Sequence, residues 1–141
     1  AGAVGWEQLW AALEEADIIY FDLKFASSEL HKRYTGMDNA LILDNLRNTS
    51  ARKENLVVRI PLIPGINDAP EELGRMAELI CRLPHVSRIG LLPYHRYGVK
   101  KYALLGRDYA LEQVPVQTEQ SVAQARDLLA RATGREVRSG I

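Results

Sequence analysis

Asp22 and Lys24 stand two residues apart in an apolar stretch, Asp17-Ile18-Ile19-Tyr20-Phe21-Asp22-Leu23-Lys24. On a strand, residues two apart share a face and lie roughly 7 Å from each other. A carboxylate and an ammonium so placed can bind the two ends of a zwitterion, and they can equally be a structural ion pair at a rim. Arg59 lies inside a second apolar run, Leu56–Ile63. A charge there needs a partner or water. Its guanidinium can grip a carboxylate or phosphate with two parallel bonds. It can also pair with Asp22 on a neighbouring strand and only hold the sheet together. His95 follows a third apolar run, Ile89–Pro93, by two residues. A histidine there can donate a proton, ligate a metal, hydrogen-bond a cofactor, or stand exposed without a task.

The elements that must position them follow from the pattern. Trp6, Leu9, Trp10, Leu13 and Ala16 mark one face of a helix. The β-branched and aromatic run after it reads as a strand. Ser28 is expected to cap a short turn to about Tyr34, broken by Gly36, and Asn39 to cap a helix from Ala40 to about Thr49. Leu56–Ile63 is the second strand, ended by Pro64-Gly65. Asp68, Pro70 and Glu71 form a helix start with Asp68 as cap, and Leu73, Met76, Ala77 and Ile80 form its buried stripe. Ile89–Pro93 is the third strand, and a loop of about 20 residues follows, long enough to suggest function. Thr118 caps the last helix and Gly134 ends it, with Arg135–Arg138 as a candidate short edge strand. Strands alternating with helices imply a parallel sheet, apolar on both faces, whose working residues sit at the carboxyl ends of its strands.

Composition narrows the classes. The chain has 141 residues, the size of one ordinary domain. Lys plus Arg and Asp plus Glu number 18 each, which gives no argument for a nucleic-acid or acidic membrane partner. The charge is uneven: residues 1–70 carry 7 basic and 10 acidic side chains, and residues 71–141 the remaining 11 and 8. Arg96, Lys100, Lys101 and Arg107 make the densest basic stretch, either a solvated loop or a surface for an acidic or carbonyl-rich partner. No membrane-length apolar run and no signal-peptide pattern is expected. Cys81 is the single cysteine, expected to be structural, and it cannot alone hold an iron–sulfur cluster. His31 and His85 lie in or beside helices without ligand spacing. No phosphate-binding glycine loop is present.

Tyr20–Lys24, then Val58-Arg59-Ile60-Pro61-Leu62-Ile63-Pro64-Gly65-Ile66-Asn67-Asp68, then Leu91-Leu92-Pro93-Tyr94-His95-Arg96-Tyr97-Gly98 with Lys101-Tyr102 and Leu105-Gly106 resemble the glycyl radical enzyme activating enzymes. Order and spacing agree from about Trp6 to Val137. The resemblance implies half of a partial (β/α)6 TIM-like barrel: three parallel strands alternating with helices, plus a C-terminal helix. Residues 1–141 would be a single partial domain, the C-terminal half of a radical S-adenosylmethionine barrel. The cluster-binding C-x-x-x-C-x-x-C half is not in the chain, which fits the missing initiator methionine and the single cysteine.

Carried over residue by residue, the resemblance places Asp22 and Lys24 against the methionine portion of S-adenosylmethionine, with Asp22 also near a monovalent cation. Arg59 would line the same cavity, His95 would contact the ribose, and Pro61 and Leu92 would flank the adenine. Tyr94, Arg96 and Lys101 would meet the substrate peptide. The implied reaction belongs to the complete enzyme: a reduced [4Fe–4S] cluster, with ligands outside this chain, cleaves S-adenosylmethionine. The 5′-deoxyadenosyl radical then takes hydrogen from a backbone glycine of a partner glycyl radical enzyme. An electron donor such as flavodoxin or ferredoxin and a cytoplasmic, anaerobic setting are implied with it. The cofactors carry the difficult chemistry. The fragment alone is expected to be inactive, and its open edge and uncovered face are expected to drive self-association. Two rivals remain. One is a docking module that keeps the fold without the chemistry. The other is a non-redox barrel enzyme using Lys24 as an amine nucleophile, disfavoured because Asp22 should keep the lysine protonated.

Overall fold

Helical and extended patterns alternate along the chain, and the computed structural model, which describes residues 2–95 and 113–140, bears this out. The elements are α1 (Trp6–Leu13), β1 (Ile19–Asp22), α2 (Ser28–Thr35), α3 (Ala40–Arg52), β2 (Leu56–Leu62), α4 (Pro70–Cys81), β3 (Arg88–Pro93), α5 (Glu119–Thr133) and β4 (Val137–Ser139). The strands form one sheet in the order β1-β2-β3-β4, and every neighbouring pair is parallel. The three strands expected from sequence are present. The candidate edge strand begins two residues later than expected, because Ile89 N donates to Glu136 O and the paired register opens at Val137.

Period-two alternation sorts the side chains. Ile19, Phe21 and Leu23, then Val58, Ile60 and Leu62, then Ile89 and Leu91 are all buried. They pack with Leu46 of α3, Leu73, Met76 and Ile80 of α4, and Leu129 of α5 in one apolar cluster. The other face of the sheet is more polar than expected. β1 alternates buried and exposed, with Tyr20 40% exposed on the side opposite the helices. Helices cover one face, and the other mixes Tyr20, Asp22, Arg59 and Arg138 with Val57, Pro61 and Leu92.

The element ends show where local chemistry was read correctly and where it was not. Thr118 caps α5, its Oγ1 accepting from Ser121 N, and Gly134 ends the helix at φ 65°, a left-handed conformation that glycine adopts freely. Thr118→Ala is expected to lower stability by about 1 kcal/mol, measured as a shift in the urea midpoint at unchanged slope. The cap of α2 is Ser27, not Ser28, and Ser27 accepts from Leu30 N. Asp68 does not cap α4. Its carboxylate turns back to accept from Gly65 N, and the capping position falls to Ala69. Asn39 occupies the cap of α3 but makes no cap bond there. Its amide is used elsewhere, as shown below.

α1 buries only Leu9 fully. Its two tryptophans, Trp6 and Trp10, stack on each other at 5.5 Å between centroids, and Arg52 at the end of α3 lies over both rings. Lys53 Nζ donates to Glu14 O and Ala16 O just after α1. Cations thus fasten the first helix to the third at its carboxyl end, the end they favour electrostatically.

Candidate functional site

Asp22 and Arg59 are register partners on β1 and β2, so their side chains leave the sheet side by side on the open face. Arg59 Nε donates to Asp22 Oδ1 at 2.7 Å, with the two side chains 25% and 41% exposed. The guanidinium also lies 5.4 Å from the Tyr20 ring centroid. The expected partner of Arg59 is therefore Asp22. Water reaches both groups, so the pair contributes little to stability, and its value is in geometry. Lys24 lies one turn of the pleat beyond Asp22 on the same face and is exposed.

Asp22, Lys24 and Arg59 line one cavity of about 330 Å³, together with Tyr20, Phe25 and His31. The expected strand-end set is these first three together with His95, and His95 is not among the residues that line this cavity. Pro61 and Leu92 lie one and two strands across, paired with each other in register, and both are half-buried. Tyr94 is only 8% exposed, and its amide donates to Leu62 O, so it extends the sheet more than it presents a ring to solvent. His95 is the next residue and is exposed. Arg96 and Lys101, with the rest of the basic stretch, lie outside the described residues.

The open face also holds a gap. Asp22, Arg59, Gly90 and Arg138 form one row across all four strands. A Cβ at Gly90 would lie 3.2 Å from Gly140 O and 3.6 Å from Arg59 Cγ. Glycine leaves room here beside the Arg59 stem and the Gly140 carbonyl. Arg138 is held by Glu136 at 2.6 Å.

Several residues of the site were not singled out from sequence. His31 was set aside as a helix residue, yet it is 5% exposed and reaches the cavity. Its Nδ1 lies 2.7 Å from Met37 O, and its ring meets Phe25 edge to face. Asn39, Asn67 and Glu72 are buried polar residues that all bind the backbone just after β1. Glu72 could have been suspected, since it sits beside Leu73 on the apolar stripe of α4, where an unpartnered carboxylate would be costly. The two asparagines gave no comparable signal.

A parallel sheet with helices on one face, and with ionisable residues gathered at the carboxyl ends of its strands on the other, defines part of an α/β barrel. Comparison with known proteins shows what the chain is similar to. The chain is 38% identical over 115 residues to the isethionate sulfite-lyase activating enzyme of Oleidesulfovibrio alaskensis, covering 80% of this chain and 37% of that protein. It is 35% identical over 123 residues to the pyruvate formate-lyase-activating enzyme of Listeria monocytogenes, covering 87% and 50%. A crystal structure of a domain of pyruvate-formate lyase-activating enzyme from Bacteroides vulgatus superposes with a TM-score of 0.75 at 26% identity, covering 96% of this chain and 74% of that one. A radical SAM methyltransferase from Sphaerobacter thermophilus shares the fold, with a TM-score of 0.66 at 14% identity. No protein-family model matches the chain. Over about four fifths of its length the chain is thus similar to activating enzymes of glycyl radical enzymes, and it spans between about a third and a half of the length of the curated relatives it matches.

Proposed function

We propose that this chain is part of a radical S-adenosylmethionine enzyme that generates a glycyl radical on a partner enzyme, and that its open sheet face supplies part of the cofactor and substrate-peptide site. The observation that carries this reading is the grouping of Asp22, Lys24 and Arg59 on one cavity at the strand ends. The donor set fits the zwitterionic end of S-adenosylmethionine. Lys24 is suited to the carboxylate. Asp22 meets Arg59 through Oδ1, which leaves Oδ2 to face an amine or a monovalent cation. Arg59 holds Asp22 in place and adds positive charge beside the carboxylate. When bound, S-adenosylmethionine would supply the hydrogen-abstracting chemistry. The residues of this chain orient it and act as no acid, base or nucleophile.

The residues do not fit the family's [4Fe–4S] cluster. Cys81 is the only cysteine, and among the described residues no group of three or more His, Cys, Asp or Glu could hold a metal. The cluster ligands, and the docking of an electron donor such as flavodoxin or ferredoxin, belong to a part of the protein outside this chain. In the same reading His95 contacts the ribose of S-adenosylmethionine, Tyr94, Arg96 and Lys101 contribute to recognition of the partner's glycine-bearing peptide, and the open face is the surface through which isolated copies associate.

Titration of the 141-residue chain with S-adenosylmethionine, followed by amide NMR, is expected to shift Asp22, Lys24 and Arg59 first. Reconstitution with iron and sulfide is expected to give no stoichiometric cluster spectrum. A stable cysteine-ligated cluster, or shifts that avoid these three residues, would overturn the proposal. Binding of the partner peptide with no response to S-adenosylmethionine would support a docking module instead.

A further inference from the structure

The chain leaving β1 is held by an unusual set of buried side chains. The backbone ladder between β1 and β2 continues to Leu23 N, which donates to Arg59 O at 2.8 Å. Past that rung a side chain takes over. Asn67 is 1% exposed, and its Nδ2 donates to both Lys24 O at 2.9 Å and Pro61 O at 2.6 Å. Its Oδ1 accepts from Ile63 N at 2.8 Å. The carboxamide is a wedge between two strand ends, satisfying backbone groups of both while keeping them apart.

The next residues are held in the same way. Asn39 Nδ2 donates to Phe25 O at 3.0 Å and Ala26 O at 3.3 Å. Glu72 Oε1 accepts from Ala26 N at 2.6 Å and Ser27 N at 3.1 Å. Four consecutive residues, Lys24 to Ser27, are thus bound through their backbone by side chains from three places in the fold. Asn39 and Glu72 are each 2% exposed. Burying two carboxamides and a carboxylate is expensive unless every group finds a partner; all three bind this one short segment, while Pro61 O and Ile63 N also serve Asn67 and the Arg75 guanidinium also serves Glu72. That segment begins with Lys24. A lysine side chain has four rotatable bonds and is poorly fixed by its own contacts, so its direction is set at its root.

We propose that Asn67 is a positioning residue for Lys24: it fixes the backbone from which the ammonium reaches the cavity, with Asn39 and Glu72 holding the continuation. The inference rests on the reading that Lys24 faces the carboxylate of bound S-adenosylmethionine. A merely structural role would lower stability and leave affinity unchanged.

A double-mutant cycle separates the two. The Kd for S-adenosylmethionine is measured by calorimetry for the 141-residue chain, Asn67→Ala, Lys24→Met and the double variant, with thermal unfolding of each. Asn67→Ala is expected to weaken binding about fivefold in the unaltered background and to have almost no effect once Lys24 is gone, because it acts through that residue. Equal effects in both backgrounds, or unchanged affinity with lowered stability, would overturn the proposal. Should Asn67→Ala fail to fold, Asn67→Ser, which keeps one donor, is read by the same criteria. Lys24→Met with unaltered affinity would instead overturn the underlying assignment of the cavity.

Discussion

Ile60→Ala is expected to destabilise the chain by about 3–4 kcal/mol, the range for emptying a well-packed aliphatic site. Ile60 is 0% exposed and sits in β2, which is hydrogen-bonded on both sides, to β1 and to β3. It points into the cluster that joins α3, α4 and α5 to the sheet. Strand neighbours on both flanks restrain the backbone, so the site cannot collapse around the lost atoms. The measurement is urea unfolding by circular dichroism: the midpoint falls while the slope stays constant. A loss below about 1 kcal/mol would mean that the core around β2 relaxes far more freely than its packing implies.

Gly90→Val is expected to disable the open face. Alanine adds one carbon, 3.2 Å from Gly140 O and 3.6 Å from Arg59 Cγ, and small shifts can accommodate it. Valine adds two more carbons with a restricted rotamer, and overpacking of this kind costs about 1–3 kcal/mol. The strain falls on two structures at once. Gly140 N donates to Leu91 O and closes the β3–β4 pairing, while the Arg59 stem is pressed from the β3 side and its bond to Asp22 is distorted. Binding of S-adenosylmethionine is expected to fall at least tenfold, or about 1.4 kcal/mol, with Gly90→Ala intermediate. Amide NMR should show Asp22, Arg59 and residues 137–140 moving together. Full-strength binding by the valine variant would show that the space between Gly90 and the Arg59 stem is immaterial to the site.

The contrast between Asp22 and Asn67 shows what sequence could and could not reveal. Asp22, Lys24 and Arg59 were legible because charges in apolar strands break a period-two pattern, and that pattern assigns them to one face. Their pairing is a matter of register, which follows from βαβ packing and not from local spacing. Asn67 was illegible for the opposite reason. It lies in a turn, where asparagine is ordinary, and its partners Lys24 and Pro61 are 43 and 6 positions away. Asp68 misled for a related reason. It has the composition of a helix cap, yet a nearer amide, Gly65 N, claimed its carboxylate. His31 looked like a helix-surface residue because only the return of the chain through Met37 encloses it. The helices, strands and core were accordingly readable, and the hydrogen bonds that fix the ends of the strands were not.

The spatial order of the strands coincides with their order along the chain. Each strand after the first therefore meets a neighbour already made. Such a winding can assemble progressively as it emerges from synthesis, one βα unit at a time, without a late segment having to thread between earlier ones. It also gives the architecture a natural seam: a division between β2 and β3 separates two pairs of strands and leaves none single. A stretch covering only part of a longer relative can on that account remain a coherent folded body.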